Sequence, residues 1–142
     1  MPLKTQYTSL VKIKKDRLDM MEKSVQSCHH TISLIKEKIE ASYSELRSMK
    51  IPDHGDFSLF RQTQLLKQRV QDEIGFNKHN LMVAESALLK AMQQLKTANI
   101  EHEKFKYLET NEIEKILKVQ KLKEAKDLDE VALMAFNRKN DA

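Results

Sequence analysis

The sequence is poor in the residues that make turns. Two glycines and two prolines in 142 residues leave little turn chemistry for sheets or for many loops, so long helices are expected. Tryptophan is absent and aromatics reach only 6%, less than a compact core ordinarily carries. Disorder is excluded from the other side, because 40% of the residues are hydrophobic and regularly spaced. A single cysteine, Cys28, permits no intramolecular disulfide and gives no sign of an oxidising compartment. No window approaches the roughly 20 uncharged apolar residues that span a bilayer. The start, Met1-Pro2-Leu3-Lys4-Thr5, has no apolar run of the signal-peptide kind. The expectation is a cytoplasmic chain with no direct membrane insertion.

What is present is periodicity. In alternating steps of three and four, Val11, Lys14, Leu18, Met21, Val25, Cys28, Ile32, Ile35, Ile39, Ser42, Leu46 and Met49 follow one another, and only Lys14 and Ser42 fail to be apolar. An apolar residue every 3.5 positions lies along one edge of a helix and requires a second helix packed on it. This first helix is expected over about residues 5–50, with Thr5 or Ser9 as N-cap. Pro52 and the turn-forming Asp53-His54-Gly55-Asp56 place a turn at about 51–56.

A second helix is expected over about 57–138, capped by Asp56 or Ser58. Its own seam steps through Phe60, Thr63, Lys67, Val70, Ile74, Asn77, Leu81, Ala84, Leu88, Ala91, Leu95, Ala98, His102 and Phe105. Leu81, Leu88 and Leu95 alternate with Ala84, Ala91 and Ala98, a large and small rhythm that admits a close helix neighbour. Gly75 is a local weak point in this helix, costing about 1 kcal/mol relative to alanine. A short turn between two seamed helices predicts an all-α fold: one domain over residues 1–142, an elongated antiparallel two-helix coiled-coil hairpin with unequal arms, the C-terminal one longer.

Beyond Phe105 the seam loses its phase. Glu109 and Glu112 take the expected positions, and Ile113, Ile116, Leu117, Val119 and Leu122 spread around the helix. About thirty residues are left with apolar groups that have no partner in the chain, and such a helix is marginal alone. Charge gathers at the same end. Net charge is only +4, yet Lys115, Lys118, Lys121, Lys123 and Lys126 surround the single acid Glu124. In an antiparallel hairpin Lys12, Lys14, Lys15 and Arg17 lie towards the same pole. This basic tip suits an acidic protein surface, and it equally suits a solvated face. Nucleic acid is not indicated, because the bases are mostly lysine without interleaved aromatics.

Nothing in the sequence carries catalytic chemistry. His29 and His30 are adjacent and diverge by about 100° on a helix. No His or Cys stands four residues from either, as a helical zinc pair requires. His54 belongs to the turn, His79 to the surface and His102 to the second seam. Cys28 has no activating neighbour beyond His29. Gly55 and Gly75 cannot make a phosphate loop. No enzyme, cofactor or metal site is expected.

The ending Lys121-Leu122-Lys123-Glu124-Ala125-Lys126-Asp127-Leu128-Asp129-Glu130-Val131-Ala132 is similar to the close of flagellar export proteins of the FliJ family, related to the YscO-like proteins of type III secretion. The segment from Ser27-Cys28 through Leu34-Ile35-Lys36 to Ile39-Glu40, and the aromatics Phe57 and Phe60, also resemble that family. The resemblance spans nearly the whole chain. It implies a component of the export apparatus that contacts the ring of the export ATPase, in a manner likened to the central stalk of rotary ATPases. It implies docking on the cytosolic domain of the membrane export gate, and receipt of emptied substrate chaperones, at a site peripherally associated with the membrane apparatus. On the gate side Tyr43, Phe57 and Phe60 are the candidates, although the paired tyrosines of other members are absent. On the ATPase side they are Lys115, Lys118, Lys121, Leu122, Lys123 and Leu128.

Other readings of the pattern stay open. Heptads do not state which helix is the partner, so a structural spacer or a homodimer with seams pairing between chains fits, as does a rotary-ATPase stalk subunit. A prefoldin-type chaperone does not, because the residues between the arms leave no room for β-hairpins.

Overall fold

The computed structural model describes residues 3–50 and 55–140. Among them there are two helices, α1 over Thr8–Ser48 and α2 over Phe57–Asn140, and no strand. The fold is all-α, with the C-terminal helix the longer. Pro2, Pro52 and His54, to which the sequence assigns a helix start and a turn, lie outside the described residues.

Thr5, of the two candidate caps, starts α1. Its Oγ1 accepts a hydrogen bond from the Tyr7 amide at 3.1 Å, while its own amide donates to Thr8 Oγ1 at 2.8 Å. Two amides that the first helical turn cannot satisfy are thereby paired, in the reciprocal manner of a capping box. Ser9 is already inside the helix. At the other end the Ser48 hydroxyl donates to the Glu45 carbonyl at 2.7 Å, and the Met49 amide reaches the Leu46 carbonyl at 3.3 Å. This tightened last turn closes α1 at Ser48, two residues before the expected Lys50. Gly55 has φ +146°, a conformation open essentially to glycine alone. The next residue, Asp56, is in the N-cap position of α2, its carbonyl accepting from the Leu59 amide at 3.0 Å. Ser58 is already inside α2.

By internal packing the chain divides into two units, Leu18–Ala98 and Met1–Arg17 with Asn99–Ala142. In the first, both helices contribute to a single two-helix layer. Every position of the α1 seam from Leu18 to Met49 is buried or half-buried. So is every α2 seam position from Thr63 to Ala98, with Val70 and Ala98 only 4% and 3% exposed. The seams are therefore covered by the chain itself. Ser42 is the one buried polar residue among those described. Lys78 Nζ stands 5.4 Å from the centre of the Tyr43 ring, so these two positions of α1 and α2 are neighbours. Gly75 lies within the unbroken α2, on an open face where, among the described residues, nothing but the adjacent helix backbone comes within 4 Å of where a Cβ would be. Phe60, counted as the first seam residue, is 42% exposed, so cover on α2 begins at Thr63.

In the second unit the first turns of α1 pack on α2 beyond Asn99. Lys14 Nζ is 3.7 Å from Glu101 Oε2 and 5.5 Å from the Phe105 ring centre. Cover on α2 does not stop at Phe105. Glu109, Glu112 and Ile116 remain half-buried, keeping the seam spacing with carboxylates in it. From Leu117 to Asn140 every residue is exposed. No described helix is long and apolar enough to cross a membrane.

Candidate functional site

Two surfaces carry the residues the sequence singles out. Near the turn, Phe57 is the first residue of α2 and is 76% exposed, and its ring centre lies 6.5 Å from that of Phe60 at an interplanar angle of 31°. These are neighbours three apart on a helix, within the range of favourable aromatic pairing. Leu59 is also exposed, so the first turn of α2 offers an apolar surface to solvent. Tyr43 does not join this pair. It is half-buried on α1, and its ring face is taken by the Lys78 ammonium, an attraction between a cation and the ring quadrupole.

The second surface is the bare end of α2. Lys115, Lys118, Lys121, Leu122, Lys123 and Leu128 are all exposed. At about 100° per residue they do not form one stripe. Lys118, Lys121, Leu122 and Leu128 share one side of the helix with Lys115 at its edge, and Lys123 points away from it. The apolar residues that follow, Val131, Leu133, Met134 and Phe136, each about 60% exposed, are not among the sequence candidates. The spacing of Leu128, Val131, Ala132, Ala135 and Phe136 was the available signal, since it returns to one helix face. Glu124, Asp127, Leu128 and Val131 line a shallow depression on that face. This is the four-residue hole, at i, i+3, i+4 and i+7, into which a facing helix inserts a side chain.

A third feature was visible only in part from the sequence. His102 Nδ1 and Glu109 Oε2 are buried without a hydrogen-bond partner among the described residues. They line a depression with Val11, Lys12 and Lys106. Both residues occupy seam positions, so the second unit has a polar layer where the first has leucine and alanine. Among the described residues no cluster of His, Cys, Asp or Glu is arranged to hold a metal, and Cys28 is a half-buried free thiol.

Covered seams, a bare basic and apolar helix end, and exposed aromatics at the turn describe a chain whose external surfaces are suited to protein partners. A sequence profile described as FliJ, Flagellar FliJ protein, matches residues 3–141. No curated protein sequence and no solved structure matches the chain. With the profile covering nearly every residue, the chain belongs to the flagellar FliJ protein family.

Proposed function

We propose that this chain links the export ATPase to the cytosolic domain of the membrane export gate and receives emptied substrate chaperones. Family membership makes it a component of the flagellar export apparatus, in a family of non-catalytic export proteins. The finer assignment rests on one observation. On α2 the buried pattern ends at Ile116, and every residue from Leu117 to Asn140 is exposed, with Lys118, Lys121, Lys123 and Lys126 among exposed leucines and valines. A helix end of this kind gains by pairing with a partner, since its apolar side chains are in water and its helical state has no tertiary support. The ATPase ring is assigned to it, with Lys115, Lys118, Lys121, Leu122, Lys123 and Leu128 as contacts. Phe57, Phe60 and Tyr43 are assigned to the gate.

The role is connective: the chain holds binding surfaces, and any energy comes from nucleotide hydrolysis in the partner. The site of action is the cytoplasmic side of the membrane apparatus. Ending the chain after Ile116 is expected to leave the packed helices folded, as read by circular dichroism, and to abolish co-purification with the export ATPase. Retained co-purification by a folded truncated chain would overturn the assignment.

A further inference from the structure

The bare end of α2 carries a pattern that repeats, with charge reversed, when read backwards from Ala125. Counting in heptad steps through Ala125, one face holds Lys118, Lys121 with Leu122, Ala125, Leu128 with Asp129, and Ala132. All of these are exposed, Leu122 and Leu128 by 72% and 69%. We propose that this face seats a second copy of the same chain, bound antiparallel, with the two Ala125 residues at the crossing point.

In that arrangement residues equally distant from Ala125, one before it and one after, come to the same level. Leu122 lies beside the partner's Leu128, and Lys121 beside the partner's Asp129. Lys118 falls level with the partner's Ala132, where its long stem covers the alanine and its ammonium reaches water. Alanine at the centre lets the two helices approach closely. An isologous contact repeats every pairing twice, so each favourable match counts double. Outside this face the same inversion continues: Leu117 matches Leu133, Val119 matches Val131, and Lys123 matches Asp127. A parallel pair has none of this. It sets Lys118 on Lys118, Lys121 on Lys121 and Asp129 on Asp129, each a like-charge contact.

The contact is small beside the roughly 1,200 Å² of stable interfaces, so the pair forms weakly and is weakened further by salt. It uses the face assigned above to the ATPase and would compete with that docking. It does not depend on that assignment, because it is read from purified chain alone.

The test is performed on the full chain with Cys28→Ala, so that an added cysteine is the only thiol. Ala125→Cys is expected to form a disulfide-linked dimer on mild oxidation. Leu133→Cys is not, because antiparallel copies hold those positions about 24 Å apart along the axis at ~1.5 Å per residue. Light scattering from about 10 μM to 1 mM is expected to show mass rising with concentration. Lys121→Glu or Asp129→Lys alone should weaken association about tenfold, and the two together should restore it. A monomer throughout that range, crosslinking of Leu133→Cys as ready as that of Ala125→Cys, or a double reversal no better than the single ones would each overturn the proposal.

Discussion

Lys14 and Glu101 form an ion pair, Nζ to Oε2, at 3.7 Å on the α1 seam, with the Phe105 ring centre 5.5 Å from the same ammonium. Lys14 is one of the two positions at which the first heptad pattern is not apolar. The structure accounts for it: the side chain is only 27% exposed, its stem lies in the seam, and its charge is met by a carboxylate and a ring face. An ion pair this open to water contributes about 0.2–1 kcal/mol and the ring contact about 0.5–1 kcal/mol. Lys14→Ala should lower stability by about 1 kcal/mol in urea unfolding at low salt, and by less in high salt. Lys14→Met, which keeps the stem, should recover most of the loss.

The two glycines call for opposite outcomes. At Gly55 the φ of +146° is strained for any L side chain, and a Cβ there would also press on Leu59 Cδ1 at 3.2 Å, a contact the exposed Leu59 side chain relieves by a small shift. Gly55→Ala should therefore destabilise by about 1–3 kcal/mol. Gly75 is helical and faces open space, so Gly75→Ala should raise stability by about 0.5–1 kcal/mol. Thermal unfolding followed by helical circular dichroism reads both.

Burial separates scaffold from surface along the same helix. Ala98 is 3% exposed, and Ala98→Leu should cost about 1–3 kcal/mol by overpacking. Leu88 is half-buried on the seam, and Leu88→Asp should unfold the packed helices by placing a charge there. Leu122, 72% exposed, should accept the same change to aspartate with stability altered by less than about 0.5 kcal/mol. Chemical denaturation midpoints distinguish these three.

The polar layer of the second unit gives a prediction of gain. Glu109 Oε2 is buried without a partner among the described residues, and an unsatisfied group of this kind costs about 1–3 kcal/mol. Glu109→Leu should raise the unfolding midpoint, whereas a seam position already satisfied would not respond so.

Much of the fold is written in the 3.5-residue spacing. The α1 seam from Val11 to Met49 is covered at every position, including Lys14 and Ser42, because one register error would expose the whole stripe. The spacing is silent where hydrophobicity and cover part company. Glu109 and Glu112 are polar yet half-buried, since the first turns of α1 lie against that stretch of α2 whatever its residues. Phe60 is apolar yet exposed, because it falls before the first covered position, Thr63. Of the surface candidates, the adjacency of Phe57 and Phe60 follows from helical spacing. The placement of Lys78 over Tyr43 does not, because it depends on the register between two helices.

The proposed docking on the export ATPase uses the basic end of α2. Calorimetric titration of the purified ATPase with the chain, and with a variant in which Lys115, Lys118 and Lys121 are all changed to glutamine, tests it most directly. The expected result is saturable binding that the triple change weakens about tenfold or more and that salt weakens in the unmodified chain. Equal affinity for the two chains, at low and at high salt alike, would contradict it.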